Sequence, residues 1–325
     1  MTVNEHIERF HGLPVFDFVE AMEEAAERGG ADSLRLPDAA SAAWRINLDY
    51  ESEATFAERW QQFLDTVDSE RVTAVVIGQW SQEDPDSFRE PMEAVVAGAD
   101  RLPALRALFV GDITCEQCEI SWIQQCDITP LLTAFPELAE LVVRGASEDW
   151  DGKGGLALQP LRHEALRALR FESGGLPGSV VRSVAGCDFP ALERLEFWLG
   201  VDNYGGDATM EDLTPFLDGT RFPALRHLGL QNSAFEDDIA AAVAHAPVVA
   251  RLESLSLAMG VLTDQGATAL LEGQPLTHLR SLDLHHHYLS DEMQQHLHQA
   301  LPGVEIDLSE PGKPDDRWRY VAVAE

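Results

Sequence analysis

Three cysteines lie close enough together to suggest a metal site. Cys115 and Cys118 form a Cys-x-x-Cys pair, and Cys126 follows on the same stretch. A structural zinc site needs four cysteine or histidine ligands at short, matched spacings, whereas the remaining cysteine, Cys187, lies much further along the chain. We therefore expect no zinc here. Four unevenly spaced cysteines also do not form a disulfide framework, which is typical of a reducing compartment.

Histidines form the second cluster that could perform chemistry. Three of them stand in 285-HHHY-288, and three more lie nearby, namely His278, His296 and His298. Asp283 and His285 would share one face of a strand and could bind a metal or respond to pH, because histidine titrates near neutrality. His287 comes where the chain turns inward, and we expect it to bond backbone groups. Structural roles are favoured for the cluster, so neither a metal ion nor a cofactor is predicted.

No sequence pattern for a nucleophile, a nucleotide site or a zinc protease is present. The chain lacks Gly-x-Ser-x-Gly, a glycine-rich loop followed by Lys-Ser/Thr, and His-Glu-x-x-His. The glycines in 151-DGKGGLALQP-160 and 203-NYGGDA-208 lack a nucleotide-binding layout and indicate loops between repeats. We therefore predict no catalytic residues and a protein that is not an enzyme.

The net charge restricts the class of partner. Lys and Arg total 23 against 56 Asp and Glu, which gives a formal charge of −33. Such a surface repels phosphate backbones and anionic membranes, so neither nucleic acid nor a membrane is an expected partner. Solubility or a salt-tolerant proteome explains the acidity; attraction to a basic partner is the alternative. The start of the chain does not resemble a signal peptide and no apolar run nears 18 residues, so we expect a cytoplasmic protein.

A repeated pattern indicates the fold. Eight segments with apolar residues at positions 1, 4 and 6 recur every 26 to 33 residues: 72-VTAVVI-77, 105-LRALFV-110, 138-LAELVV-143, 166-LRALRF-171, 192-LERLEF-197, 225-LRHLGL-230, 252-LESLSL-257 and 279-LRSLDL-284. A degenerate ninth copy, 301-LPGVEIDLS-309, closes the series. This period and core are typical of the leucine-rich repeat. The last full repeats also have an apolar residue five positions after the strand, namely Phe235, Leu262 and Leu289, and the helical segments that follow resemble the ribonuclease-inhibitor-like class. One strand and one helix cannot bury their apolar faces alone, so each unit needs neighbours. We predict an α/β leucine-rich-repeat solenoid, a horseshoe with a parallel β-sheet on the concave face and helices on the convex face.

The chain divides into three expected parts: an N-terminal α/β cap over residues 1–70, a leucine-rich-repeat domain over 71–309, and a linker with a C-terminal tail over 310–325. In the cap, 18-FVEAMEEAAERGG-30 predicts a helix that ends at glycine, and 44-WRINLDY-50 alternates like a strand. Ser52 precedes an amphipathic helix over residues 53–68.

Strand alternation predicts which side chains the concave face presents. The face runs from apolar residues, namely Ala74, Val76, Ala107 and Phe109, through an Arg/Glu band to small polar groups. The predicted partner-binding residues are Arg170, Glu172, Arg194, Glu196, Trp198, Asp283 and His285, with a second candidate in the loop that carries Glu119, Ser121 and Trp122. We expect Trp198 to be exposed and central, because Trp and Arg are enriched at binding hot spots. The alternative is that the charges pair across strands and the indole packs at an edge.

Several segments resemble one bacterial family of leucine-rich-repeat proteins that has no assigned biochemical activity. The matching pieces are 11-HGLPVFDF-18, 44-WRINLDYESEATF-56, 75-VVIGQW-80, 102-LPALRALFVGDI-113, 119-EISWIQQCDITPLL-132 and 319-RYVAVAE-325. Genes of that family tend to lie beside genes for radical-SAM enzymes, an ATP-grasp-like protein and a phosphatase-like hydrolase. The resemblance implies a pathway that modifies peptides or small molecules.

Two functions from different classes remain open. The first is a non-catalytic scaffold that binds a protein or peptide on its concave face. The second is a substrate or carrier of neighbouring peptide-modifying enzymes, in which the tail residues Arg319, Tyr320 and Val321 are the recognised or modified element. The tail could also enter another protein's site or add a strand to its sheet, or simply cover the last repeat as a cap. No oligomeric state is predicted.

Overall fold

The computed structural model describes residues 3–30, 33–48, 52, 54–81, 86–147 and 154–325. Contacts divide the chain into two compact units. The first comprises Met1–Gln159 and His163–Leu166, and the second comprises Pro160–Arg162 and Arg167–Glu325. The last two residues of the strand predicted over 44–50, and residues 151–153 at the start of the segment 151–160, lie outside the described residues.

The first unit alternates strands with helices. Its strands are β1 (Arg9–Phe10), β2 (Leu13–Asp17), β3 (Ala43–Ile46), β4 (Ala74–Ile77), β5 (Ala107–Val110) and β6 (Glu140–Arg144), and its helices are α1 (Phe18–Glu27), α2 (Phe56–Thr66), α3 (Arg89–Ala97) and α4 (Thr129–Ala134). Strands β2 to β6 pair in parallel, each with its successor along the chain. Strand β1 pairs antiparallel with β2 and closes this edge as a hairpin.

The second unit repeats the same plan. Its strands are β7 (Ala168–Glu172), β8 (Arg194–Gly200), β9 (His227–Ser233), β10 (Ser254–Ser256), β11 (Ser281–Asp283) and β12 (Glu305–Asp307), and its helices are α5 (Gly178–Gly186), α6 (Met210–Leu217), α7 (Glu236–Val243), α8 (Asp264–Glu272) and α9 (Asp291–Ala300). All five strand pairs are parallel and follow chain order.

Each of the nine predicted repeat cores contains a strand, from β4 to β12. The apolar residue at position 4 of the core is buried in one repeat after another, with at most 1% of its surface exposed in Leu195, Leu228, Leu255 and Leu282. Stacked neighbouring repeats bury these leucines, because a single repeat cannot cover its own apolar face. The leucine-rich-repeat fold predicted from the sequence is confirmed.

Strands β2 and β3 of the N-terminal α/β cap continue the parallel sheet of the repeats. The start of one helix in the cap differs from the prediction. The second helix starts at Phe56 rather than near Ser52. Thr55 is its N-cap, and a reciprocal capping box between Thr55 and Glu58 satisfies the free amides of the first turn.

No helix within the described ranges is long and apolar enough to cross a membrane.

Candidate functional site: the polar strand face

One face of the sheet in the second unit is polar. In β8, Phe197 is buried and packs edge-to-face against Phe216 of α6, with ring centroids 5.3 Å apart. Strand side chains alternate, so Arg194 and Glu196 lie on the opposite face. The same alternation continues to β12. We name as the polar strand face the side chains of Arg170, Arg194, Glu196, His227, Ser254, Ser256, Ser281, Asp283, Glu305 and Asp307.

Parallel register arranges these side chains in two rows. The first row runs through Arg194, His227, Ser254, Ser281 and Glu305. The second row runs through Arg170, Glu196, Gly229, Ser256, Asp283 and Asp307. Neighbouring strands lie about 5 Å apart, so side chains on adjacent strands of a row can reach one another, except at Gly229, which has no side chain.

Glu196 is the centre of an ion cluster at one end of the face. Its carboxylate lies 3.0 Å from Arg194, 3.1 Å from His227 and 3.7 Å from Arg170. Burial opposes ionisation of Glu196, but the hydrogen bond to His227 and the two guanidinium groups outweigh it and lower the pKa of Glu196 to about 2. The carboxylate is therefore charged at neutral pH, which confirms the alternative in which the charges pair across strands.

Two further sets of hydrogen bonds lie toward the other end of the face. The His227 ring bonds the hydroxyl of Ser254 at 2.7 Å. The hydroxyl of Ser256 donates to Asp283 at 3.0 Å, and Asp283 in turn bonds the His285 ring at 2.8 Å. That hydrogen bond to Asp283 raises the pKa of His285. These side chains hold one another in fixed positions, which pre-organises the face.

The two ends of the face differ in charge. Strands β7 and β8 carry two arginines that are matched by Glu172 and Glu196. Strands β11 and β12 carry Asp283, Glu305 and Asp307 and contain no Lys or Arg. The β11–β12 end therefore has an excess of carboxylates, while the β7–β8 end is balanced.

Asp283, His285 and Asp307 form the one group of potential metal ligands found among the described residues. One ligand atom from each lies within 4.8 Å of the others. A carboxylate–histidine–carboxylate set suits a divalent transition metal. Asp307 is exposed, however, and Asp283 already bonds both Ser256 and His285, so internal hydrogen bonds account for this arrangement without an ion.

Two of the predicted contact residues are not accessible. Trp198 is 2% exposed and Glu172 is fully buried, so the expectation of an exposed Trp198 is wrong. Strand alternation places the indole on the same face as Arg194, but it does not predict whether other residues cover that face. Arg194, with 55% of its side chain exposed, is the accessible member of the cluster.

The apolar strand face of the first unit is also covered rather than open. Side chains of β3 to β6 on this face pack with Phe10 of the N-terminal hairpin in one buried cluster, namely Ala43, Ala74, Val76, Ala107, Phe109 and Val142. After β5, Asp112 is buried and lies 2.7 Å from Arg45, 3.3 Å from His6 and 3.7 Å from Arg144. The predicted apolar stretch of the face is therefore core.

The predicted loop candidate lies in the first unit. Residues Ile120–Trp122 form one turn of 3-10 helix, in which Trp122 is 46% exposed and its indole N–H donates to Glu119 at 3.1 Å. Ser121 is half-buried. Burial and the nearby Glu119 raise the pKa of the Cys118 thiol to about 11, so the free thiol is protonated at neutral pH.

The tail lies along the second unit. Arg319 and Tyr320 are exposed, whereas Val321 and Val323 are 8% and 5% exposed. The peptide N–H of Ala322 donates to the carbonyl of Met259 at 2.8 Å, on the loop after β10. The tail therefore does not simply cover the last repeat, because it runs back across the loops of earlier ones.

Sequence reasoning missed Glu305, Asp307 and Asn232. The first two belong to the degenerate ninth repeat, where 305-EID-307 aligns with 281-SLD-283 and could have been included in the face. The sequence does not indicate the role of Asn232, because that role depends on the distant residue Val323. The predicted role of His287 is confirmed: the ring bonds the carbonyl of Leu308 at 3.1 Å and accepts the amide of Leu289 at 3.0 Å.

No protein-family model matches the chain, and no curated protein matches it. Among solved structures, the chain is similar to a structural-genomics protein from Bacteroides fragilis, with 28% sequence identity, a TM-score of 0.77, and coverage of 94% of this chain and 84% of that one. It also matches a chain of the TLR13–ssRNA13 complex at 16% identity, covering 77% of this chain and 38% of that one. The TM-score of that second match is 0.32, which is too low to support a conclusion. The Bacteroides match supports a shared fold along most of the chain.

Proposed function

We propose that this protein is a non-catalytic binding module that recognises a protein or peptide on the polar strand face. The observation that carries the proposal is the pair of rows of polar side chains, one on the five strands β8 to β12 and one on β7 to β12 that is interrupted at Gly229. Exposed groups lie at both ends of the face. Leucine-rich-repeat proteins form extended binding surfaces from such faces, so this part of the argument is an analogy at the level of the fold.

The charge distribution supports a particular orientation of the partner. The β11–β12 end has an excess of carboxylates on Asp283, Glu305 and Asp307, so it fits lysine or arginine side chains of the partner. At the other end, Arg194 is half-exposed and fits a carboxylate. Complementary charges of this kind determine orientation and the rate of association more than they determine affinity.

The experiment is affinity capture from the native host, followed by titration of the captured partner. The test variant combines Glu305→Lys with Asp307→Lys on the face. The control variant combines Glu272→Lys with Glu292→Lys, which are exposed on helices α8 and α9 and change the net charge equally. We expect at least tenfold weaker binding for the face variant and at most a threefold change for the control. Equal effects of the two variants would overturn the proposal.

A second candidate function has an observation of its own. Trp318 and Tyr320 are 69% and 68% exposed, and they alternate with exposed arginines in 317-RWRY-320. An exposed segment of this composition is accessible to a modifying enzyme. Intact mass of the protein from its native host tests this function. A mass shift within residues 310–325 would favour the substrate, and an unmodified chain made together with the neighbouring gene products would favour the binding module.

The two functions also differ in their dependence on the tail. Deletion of residues 317–325 leaves the polar strand face in place, so a binding module retains its partner. A tail substrate loses recognition by its enzyme after the same deletion.

A further inference from the structure

Residues 320–325 cross four repeats of the second unit without forming a helix or a strand. Tyr320 contacts Tyr288 after β11, Ala322 contacts Met259 after β10, and Val323 contacts Asn232 at the end of β9. Glu325 accepts a hydrogen bond from the hydroxyl of Tyr204, after β8. The segment thus runs against the order of the repeats and contacts one residue of each. We name as the tail groove the set Tyr204, Asn232, Met259 and Tyr288.

The groove recognises the peptide backbone. The hydroxyl of Tyr288 accepts the amide of Tyr320 at 2.9 Å and donates to the carbonyl of the same residue at 3.1 Å. The side-chain amide of Asn232 accepts from the N–H of Val323 at 3.0 Å and donates to its carbonyl at 2.5 Å. Tyr288 and Asn232 therefore each bond both the backbone N–H and the backbone carbonyl of one bound residue. This recognition does not depend on the side chain of that residue.

Asn232 is held in place for this role. It is fully buried, and its backbone has φ of +56°, in the left-handed region that asparagine adopts more readily than most residues. Its amide also donates to the carbonyl of Ser173 at 3.3 Å. The groove is therefore positioned by the repeats themselves.

Alternate side chains of the bound segment point into the protein. Val321 and Val323 are buried, whereas Tyr320 and Ala322 are exposed. Backbone hydrogen bonds combined with pockets for alternate side chains are the way in which sheet edges bind extended peptides. The groove thus selects for shape at two positions and accepts different residues between them.

The bound segment can leave without the loss of a repeat. Residues 313–325 contain neither a helix nor a strand, and the chain is fixed before them, where Gly312 donates to the carbonyl of His287 at 2.7 Å. Residues 313–320, between this anchor and the groove, are exposed. Detachment of 320–325 therefore breaks the contacts with the groove and leaves the strands and helices intact.

We propose that the tail groove is a binding site for an extended peptide with small β-branched residues at alternate positions. The chain's own residues 320–325 occupy it as an intramolecular ligand, which a partner segment of the same pattern replaces. This proposal is independent of the polar strand face, because it uses the loops that follow the strands and the backbone of the ligand.

The first test uses a chain that ends at residue 316 and a fluorescent peptide, 317-RWRYVAVAE-325. We expect saturable one-to-one binding. Val323→Asp in the peptide should weaken binding at least tenfold, because a charge would be buried, whereas Ala322→Asp, the same type of change at the exposed neighbour, should alter it at most threefold. Tyr288→Phe in the protein removes only the hydroxyl and should weaken binding at least fivefold. Equal affinity for the two peptide variants would overturn the proposal, as would no binding by a folded shortened chain.

A second test uses the full chain, and it decides the matter if the shortened chain does not fold. Amide hydrogen exchange of residues 320–325 is measured by mass spectrometry with and without a millimolar excess of the unlabelled peptide. Replacement of the tail should speed exchange in this segment and leave β9 to β11 unchanged. Exchange that does not respond to the peptide, or that speeds equally with the Val323→Asp peptide, would contradict replacement.

Discussion

Phe10 and Phe109 pack edge-to-face with ring centroids 5.7 Å apart, and this contact joins the N-terminal hairpin to the strand face of the first unit. Both rings are at least 95% buried. The hairpin therefore covers a row of small apolar side chains, from Ala43 to Val142, that would otherwise face water. An apolar surface of this kind on a lone repeat sheet would favour aggregation.

Phe10→Ala should lower the free energy of unfolding by about 3 kcal/mol, since it removes a buried ring and leaves a cavity. Chemical denaturation followed by tryptophan fluorescence measures the change. Phe16→Ala is the control, because Phe16 lies on the adjacent strand β2 but is only half-buried, so its effect should be smaller. A loss below 1 kcal/mol for Phe10→Ala would mean that the hairpin is not a structural cover.

Asp112 provides the second prediction. Its carboxylate is fully buried and lies near Arg45 and Arg144. Burial opposes ionisation, but His6 and the two guanidinium groups outweigh it and lower the pKa of Asp112. Asp112→Asn removes the negative charge and leaves buried cations without it, which should cost about 3 to 5 kcal/mol of stability at pH 7.

The sign of the pH dependence follows from the lowered pKa of Asp112. Its stabilising effect is present above 3.8, the ordinary pKa of an aspartate, and is lost as the pH falls through the lower folded value. The difference between wild type and Asp112→Asn should therefore shrink in acid. Asp38→Asn is the control, since the Asp38–Arg71 pair is more than half exposed. Loss of this pair should leave the free energy of unfolding almost unchanged. A pH-independent cost of Asp112→Asn would contradict the ionised state.

How far the sequence predicted this structure differs between the core and the site. The repeat cores were predictable because every unit places its buried leucine, such as Leu195 or Leu228, at the same position, and stacking requires it. Trp198 was placed on the correct strand face, yet its burial could not be foreseen, because local alternation carries no information about what covers a face. Phe10 and Asn232 act through partners about 90 residues away or more, and a single sequence gives no signal for such pairs.

Glu236 provides the third prediction. It is fully buried at the start of α7, and burial raises its pKa well above the ordinary 4.5, with Asp237 adding to the effect. Within the described part of the chain, Oε2 accepts the amide of Ser233 at 3.3 Å and Oε1 has no hydrogen-bond partner. A neutral carboxyl is therefore favoured in the folded state.

Because the pKa of Glu236 is raised in the folded state, the contribution of this residue to stability is fully present below about pH 4.5. It is lost as the pH rises through the pKa of the folded state. The limiting slope is about 1.4 kcal/mol per pH unit for one proton. Glu236→Gln mimics the neutral form, so it should stabilise the protein at pH 8 and have little effect at pH 4.5. Thermal melts at the two pH values measure this difference, and Glu272→Gln, on the exposed end of α8, should show no such dependence. A variant less stable than wild type at pH 8 would show that Glu236 is needed as an anion.

Substitutions of Trp198 and Arg194 should affect different properties, stability in the first case and partner binding in the second. Trp198 is 2% exposed, so Trp198→Ala should cost about 3 to 5 kcal/mol of stability through the cavity that it leaves. Arg194 is half-exposed, and its ion pair with Glu196 lies at the edge of the cluster. Arg194→Ala should cost under 1 kcal/mol and yet weaken binding of a partner on the polar strand face. Denaturation and partner titration of both variants measure the two quantities. Arg194→Ala that binds like wild type would move the recognition surface away from β8, and Trp198→Ala with unchanged stability would show that the indole is not part of the core.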